Sequence, residues 1–223
     1  MPVVFEGVKG VIIETLLLGP VGTNAYIVGD PATRKAAILD PGDEPRRVLG
    51  VLTRLGLSPD VIIATHAHFD HVGAVRPLIE ATGAPFLLFE AELPVLEVAA
   101  DRAALFGIDI PQPPAPDRLL RDGETLEMGG RTFRIAHTPG HSPGHMCLIS
   151  DGVAFVGDVI FQGSIGRTDL PGGDYETLIR SIATHLLPLP DETVLYNGHG
   201  PATTVGHERR TNPFLAGLNR AHS

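Results

Sequence analysis

Thr65-His66-Ala67-His68-Phe69-Asp70-His71 places three histidines and one carboxylate within six positions, directly after the apolar run Val61-Ile62-Ile63-Ala64. An unbroken apolar run of that length reads as a buried strand, here over 61–65, with Pro59-Asp60 marking its start. The polar cluster then falls where the strand ends and a loop begins, which is where rigid scaffolds place chemistry. In an extended segment residues two apart point the same way, so His66 and His68 can reach one metal from one side. Asp70 and His71 lie past the strand end and can turn toward a second point. Asp70 also suits a helix N-cap, but capping does not account for three neighbouring histidines.

The second half of the chain repeats the placement. His141 lies in the stiff stretch Thr138-Pro139-Gly140-His141-Ser142-Pro143-Gly144-His145, Asp158 follows the apolar run 153–156 and Gly157, and His199 stands between two glycines after the run 193–196. Five imidazoles and two carboxylates on one rim suit zinc, iron or manganese better than magnesium or calcium. Asp158 has two oxygens with which to bridge two metals, and a pair of ions about 3.5–4 Å apart can activate water and polarise a carbonyl.

Around these loops, turn residues divide the chain into short elements. From residue 3 to 39 the pattern predicts successive strands at 11–18, 24–28 and 36–39, then a helix from Pro45 with Gly56 past its end. Further helices are expected over 72–82, 91–106 and 175–187, the last capped by Asp174. Strands are expected at 86–89, 119–120, 125–127, 132–136, 146–150, 153–156 and 193–196. Strands with interspersed helices imply an α/β fold, a layered helix–sheet–sheet–helix sandwich, in one domain spanning 1–223.

Composition narrows the function classes. The chain has 223 residues, net charge -9, 26 glycines, 20 prolines and one cysteine. No basic cluster predicts nucleic-acid binding, no run approaches the ~20 apolar residues of a membrane span, and a cytoplasmic location is expected. A lone cysteine forms no internal disulfide. Cys147 reads as core, His137 as structural, His145 as a hydrogen-bonding neighbour of the site, and His185 and His207 as ordinary helix residues.

Residues 65–71 resemble the His-x-His-x-Asp-His signature of the metallo-β-lactamase superfamily, and His141, Asp158 and His199 match its later ligand motifs. The likeness runs from Asp40-Pro41-Gly42 to Asn212-Pro213-Phe214. It is closest to the glyoxalase II (hydroxyacylglutathione hydrolase) branch of short bacterial type, through Leu105-Phe106-Gly107, Gly157-Asp158-Val159-Ile160-Phe161, Gly166-Arg167-Thr168-Asp169 and Gly198-His199-Gly200-Pro201. The resemblance implies an αββα sandwich of two mixed sheets flanked by helices. It implies two divalent metal ions, zinc first and iron or manganese as options: one held by His66, His68 and His141, the other by Asp70, His71 and His199, with Asp158 bridging. It further implies hydrolysis of S-D-lactoylglutathione, a small-molecule thioester, to D-lactate and glutathione by a metal-bound hydroxide that Asp70 orients.

Other expectations stand beside this one. Cys147 is not where some true β-lactamases place a metal-binding cysteine, and Asp158 takes the corresponding role. Only 24 residues follow His199, fewer than the glutathione-binding helical domain of longer glyoxalase II proteins. A hydrolase of another small thioester or ester is therefore an alternative. Another is a persulfide dioxygenase, which uses one iron held by residues like His66, His141 and Asp158, and metal count separates it from the hydrolase. Arg167 is expected either to hold a substrate carboxylate bidentately or to pair with Asp169 or Asp174.

Overall fold

The structure is a computed structural model that describes residues 10–217; the start of the strand-rich block at residues 3–9, and both ends of the 1–223 domain, lie outside that range. One six-stranded sheet runs in chain order through β1 (Ile12–Leu18), β2 (Thr23–Gly29), β3 (Lys35–Leu39), β4 (Ser58–Ile63), β5 (Phe86–Phe89) and β6 (Arg118–Leu120). Its first two pairings are antiparallel and the next three parallel. The second sheet contains β7 (Thr125–Met128), β8 (Arg131–His137), β9 (Met146–Ser150) and β10 (Val153–Gly157). A small hairpin, β11 (Ile160–Phe161) and β12 (Ser164–Ile165), follows, and β13 (Val194–Asn197) and β14 (Thr203–Thr204) complete that sheet in the order β14-β13-β10-β9-β8-β7. Both sheets are mixed, as expected.

Side-chain alternation makes four layers of these elements. Successive strand residues point to opposite faces. In β2, Tyr26 and Val28 enter the core between the sheets, while Ala25 and Ile27 face outward. In β10, Val153 and Phe155 turn inward, while Ala154 and Val156 face outward. Each outer face is apolar and so needs a cover. The first is covered by α1 (Pro45–Leu55), through Val48 and Leu52, and by α3 (Val75–Thr82), through Val75 and Leu78. The second is covered by Leu178 of α6 (Tyr175–Ser181), by Ile182 and Leu186 just after it, and by Val205 of α7 (Val205–Thr211). Asp174 caps α6 as predicted, accepting from the Thr177 amide at 2.8 Å.

Four expected elements differ in their bounds or continuity. β4 begins at Ser58 and already ends at Ile63; Asp60 has no partner where the pairing with β3 skips from Ala36 to Ala37, and such an irregularity is a place where a strand tolerates proline. His66 and His68 therefore sit in a bend, not on a strand. The helix expected over 72–82 begins earlier, as α2 (Phe69–Val72), and breaks before α3, because the Ala74 amide donates to Pro41 O. The helix expected over 91–106 divides into the 3-10 turn Glu90–Glu92, α4 (Leu93–Glu97) and α5 (Ala99–Leu105). At that break Gln112 donates to Leu96 O at 2.7 Å and accepts from the Ala100 amide at 3.3 Å, satisfying backbone groups that a continuous helix would pair. The helix expected to run through 187 widens to a π turn over Ile182–Leu186. Among the described residues no helix is long and apolar enough to cross a membrane.

Candidate metal centre

All seven predicted side chains meet at one edge of the sandwich, where β4, β10 and β13 end and the β8–β9 loop turns. His66 Nε2 lies 3.1 Å from His68 Nδ1 and 3.2 Å from His141 Nε2, and the last two are 2.9 Å apart. Imidazole nitrogens do not approach in threes for their own sake. Three ligands around a tetrahedral zinc, at Zn–N distances of about 2.0–2.1 Å, stand roughly 3.3 Å from one another.

The far side of each ring fixes which nitrogen faces inward. His141 Nδ1 donates to Arg167 O at 2.8 Å, which leaves the Nε2 lone pair for the cluster. His66 Nδ1 lies 3.2 Å from Thr65 Oγ1, whose own proton goes to Asp40 Oδ2 at 2.8 Å. Thr65 therefore accepts from His66, and His66 Nε2 too is free to ligate.

A second cluster, of Asp70, His71 and His199, adjoins the first. His199 Nε2 is 3.3 Å from Asp70 Oδ2 and 3.4 Å from Asp158 Oδ2. Asp158 stands between the clusters: Oδ1 is 3.5 Å from His71 Nε2, and Oδ2 is 3.6 Å from His141 Nε2. Both ring nitrogens of His71 and Oδ1 of Asp158 are buried without a hydrogen-bond partner. His71 Nδ1 comes within 3.2 Å of Asp40 Oδ2, an ion-pair distance without hydrogen-bond geometry. Buried polar atoms left bare in this way need another partner. A cation shared with Asp158 would supply one, so the donor set fits a metal pair.

The two clusters differ electrically. Burial and the surrounding histidines hold His66 well below the usual histidine range, and burial, with His141, lowers His68 to about 3. These are neutral nitrogens with lone pairs to give. Burial alone raises a carboxyl, but His71 and His199 outweigh it: Asp70 is lowered to about 2 and Asp158 lies well below the carboxylate range. Burial lowers His71 and His199, yet the carboxylates win, raising His71 well above its ordinary value and His199 to about 10. The second cluster thus balances two carboxylates with the protons held on His71 and His199, and a metal cation would take the place of those protons.

The backbone holds these groups tightly. Gly198 passes so near that a Cβ there would lie 2.0 Å from Asp158 Oδ1, so only glycine fits. The 197–200 loop is fixed by Tyr26, which donates to Asn197 O at 2.5 Å, and by Asn24, which donates to Gly200 O at 2.8 Å. His145 is buried and hydrogen-bonded as predicted: Nε2 accepts from the Asp158 amide at 3.0 Å, and Nδ1 lies 3.0 Å from Thr138 Oγ1. His137 reaches Pro143 O and stacks on Phe89, a structural role. Cys147 is in the core, its thiol pushed up to about 12 by burial. Arg167 is exposed and forms a bidentate pair with Asp169 at 2.7 and 2.8 Å, the pairing anticipated as its alternative role.

Two supporting residues escape prediction. Asp40 has φ 49 and accepts from both the amide and the hydroxyl of Thr65, bracing the first ligand loop. The signal available in the sequence is Asp-Pro-Gly directly after the strand expected at 36–39. Thr23 Oγ1 donates to Asp70 Oδ2 at 2.8 Å. His66 and His71 are fully buried, whereas His68, Asp70 and His199 are partly open. From that open side a shallow cleft extends past Asp70 between Pro20, Val21, Phe69, Ile108 and Ile110.

The chain is similar in sequence and in structure to known proteins. The metallo-beta-lactamase superfamily model matches residues 18–199. Hydroxyacylglutathione hydrolase GloC of Haemophilus influenzae is 46% identical over 207 residues, 91% of this chain and 97% of that protein. The crystal structure of BLEG-1 B3 metallo-beta-lactamase superposes with a TM-score of 0.86 at 42% identity, covering 92% of this chain and 100% of that one. TTHA1623 in a di-iron-bound form gives a TM-score of 0.83 at 46% identity, covering 90% and 99%. With two donor clusters meeting at the end of an αββα sandwich, the chain belongs to the metallo-beta-lactamase superfamily, as one of its metallo-hydrolases.

Proposed function

We propose that the chain hydrolyses a glutathione thioester, S-D-lactoylglutathione, to D-lactate and glutathione. The observation that carries this reading is the position of Asp158, with one carboxylate oxygen toward His71 and the other toward both His141 and His199. In this reading His66, His68 and His141 hold one divalent ion, Asp70, His71 and His199 hold the other, and Asp158 bridges. Bound there, the ions supply a water acidic enough to react near neutral pH and a Lewis acid for the developing oxyanion. The di-iron form of TTHA1623 supports a paired site, and GloC supports the substrate class; zinc is the first choice of ion, with iron or manganese as options.

The remaining work falls to the chain. Asp70, on the open side and held by Thr23, orients the attacking water. His145 fixes the backbone of Asp158 without entering the cluster. The apolar wall of Val21, Phe69 and Ile110 receives the acyl side of the substrate. A thiolate leaves readily, so no strong general acid is required. Arg167 exchanges Asp169 for a substrate carboxylate; an exposed ion pair is worth little, so the exchange is cheap.

The test is steady-state hydrolysis with S-D-lactoylglutathione, a β-lactam and glutathione persulfide offered separately. Turnover is expected on the thioester. Arg167→Ala is expected to raise KM several-fold with kcat unchanged, the mark of lost uniform binding. Unchanged kinetics would leave Arg167 only its pair with Asp169, and faster turnover of the β-lactam would displace the thioester reading.

A further inference from the structure

Glu92 is fully buried, yet it belongs to neither donor cluster. Its carboxylate is enclosed by three donors. Oε2 accepts from the Ala67 amide at 2.8 Å, and Oε1 accepts from Ser142 Oγ and from the Gly144 amide, both at 2.6 Å. Ala67 lies between His66 and His68, and Ser142 follows His141. One side chain thus joins the two loops that deliver all three ring nitrogens of the first cluster.

A second contact fixes the same junction. A Cβ on Gly144 would lie 2.5 Å from the Glu92 amide nitrogen and 2.6 Å from Ala91 C. The β8–β9 loop therefore rests directly on the 3-10 turn, with no room for a side chain between them. Glu92 makes no helix-capping hydrogen bond, and its carboxylate points into the protein. Burying a carboxylate is unfavourable unless its oxygens are satisfied, and an apolar side chain would serve mere packing.

We infer that Glu92 is a positioning residue for the His66, His68 and His141 cluster, holding two loops far apart in sequence at the spacing that one metal ion requires. This role rests on the ligand assignment proposed above, not on the identity of the substrate. Through the 3-10 turn the same carboxylate ties the ligand loops to α4 and α5, beyond which Phe106 packs on Phe69, with ring centroids 5.5 Å apart, next to the cleft.

The test compares Glu92→Gln and Ser142→Ala with the parent protein. Zinc affinity is measured by chelator competition, the first-cluster geometry by the electronic spectrum of the cobalt-substituted protein, and folding by thermal unfolding in chelator. Glutamine sets an N–H against a backbone N–H, so zinc affinity is expected to fall by about 10- to 100-fold, the usual effect of losing a ligand's outer partner. The cobalt bands should shift and kcat should fall more than KM changes. Ser142→Ala, which removes one donor and leaves the carboxylate, should fold normally and show a smaller loss of the same kind. Wild-type zinc affinity and cobalt spectrum in both variants, or in Ser142→Ala where Glu92→Gln does not fold, would overturn the role. So would a loss of affinity no larger than the loss of folding stability in chelator accounts for. A parent protein that binds no zinc or cobalt would overturn the ligand assignment and this role with it, whereas failure on S-D-lactoylglutathione alone would leave the role standing.

Discussion

Asp158→Ala is expected to lower hydrolysis by more than about 100-fold, beyond what loss of an outer partner gives, and to bring bound metal below two ions per chain. Among the seven side chains it is the carboxylate whose oxygens face histidines of both clusters, His71 on one side and His141 and His199 on the other. Removing it leaves His71, which is fully buried, without one of the carboxylates that face it. The fold should survive, because the Asp158 amide, not its side chain, bonds to His145. Asp158→Asn keeps the shape and removes the charge. If charge holds the second ion, asparagine should lose nearly as much metal as alanine. Metal content measured on both variants checks this, and an unchanged content would remove Asp158 from its bridging role.

Phe155→Ala is expected to give the largest loss of stability. Phe155 is buried between the sheets, with ring centroids 5.2 Å from Tyr26, 5.8 Å from Phe133 and 5.2 Å from Tyr196. Truncating a buried phenylalanine removes apolar contacts and leaves a cavity that its neighbours fill only in part, a loss of about 3–5 kcal/mol. In a chain of this size that lowers Tm by on the order of 10 °C. Thermal unfolding should be followed in chelator as well as with metal, since ions that bind only the folded state raise its stability by mass action. A drop of a degree or two in chelator would mean that the inter-sheet core re-packs around the gap. Because β10 leads from Phe155 directly to Asp158, the variant should also bind metal less tightly.

The ligands were legible because they crowd. A dense run of histidine and aspartate after an apolar strand has few structural uses, and three later loops repeat the same placement. The layers were legible because strands such as β2 and β10 alternate cleanly between two apolar faces. What escaped the sequence depends on distant partners. Nothing near Val98 announces a break there; Gln112, from the following loop, caps it. The helix after His71 breaks because Pro41 takes the Ala74 amide. Glu92 looks like any glutamate at the start of a helix until the fold buries it against Ala67, Ser142 and Gly144. His66 and His68 do converge, but from a bend, with His68 presenting Nδ1 while His66 and His141 present Nε2. The two rings meet because the chain bends, not because an extended strand sends alternate side chains to one side.

We propose a paired metal site that hydrolyses a thioester. Its most direct test is metal content per chain on the purified protein, measured alongside S-D-lactoylglutathione cleavage and oxygen consumption on the same sample. Two ions per chain, with thioester cleavage that rises as the second ion is added back and no oxygen uptake, is the predicted result. A single iron per chain, with oxygen consumed on glutathione persulfide and the thioester left intact, would contradict it.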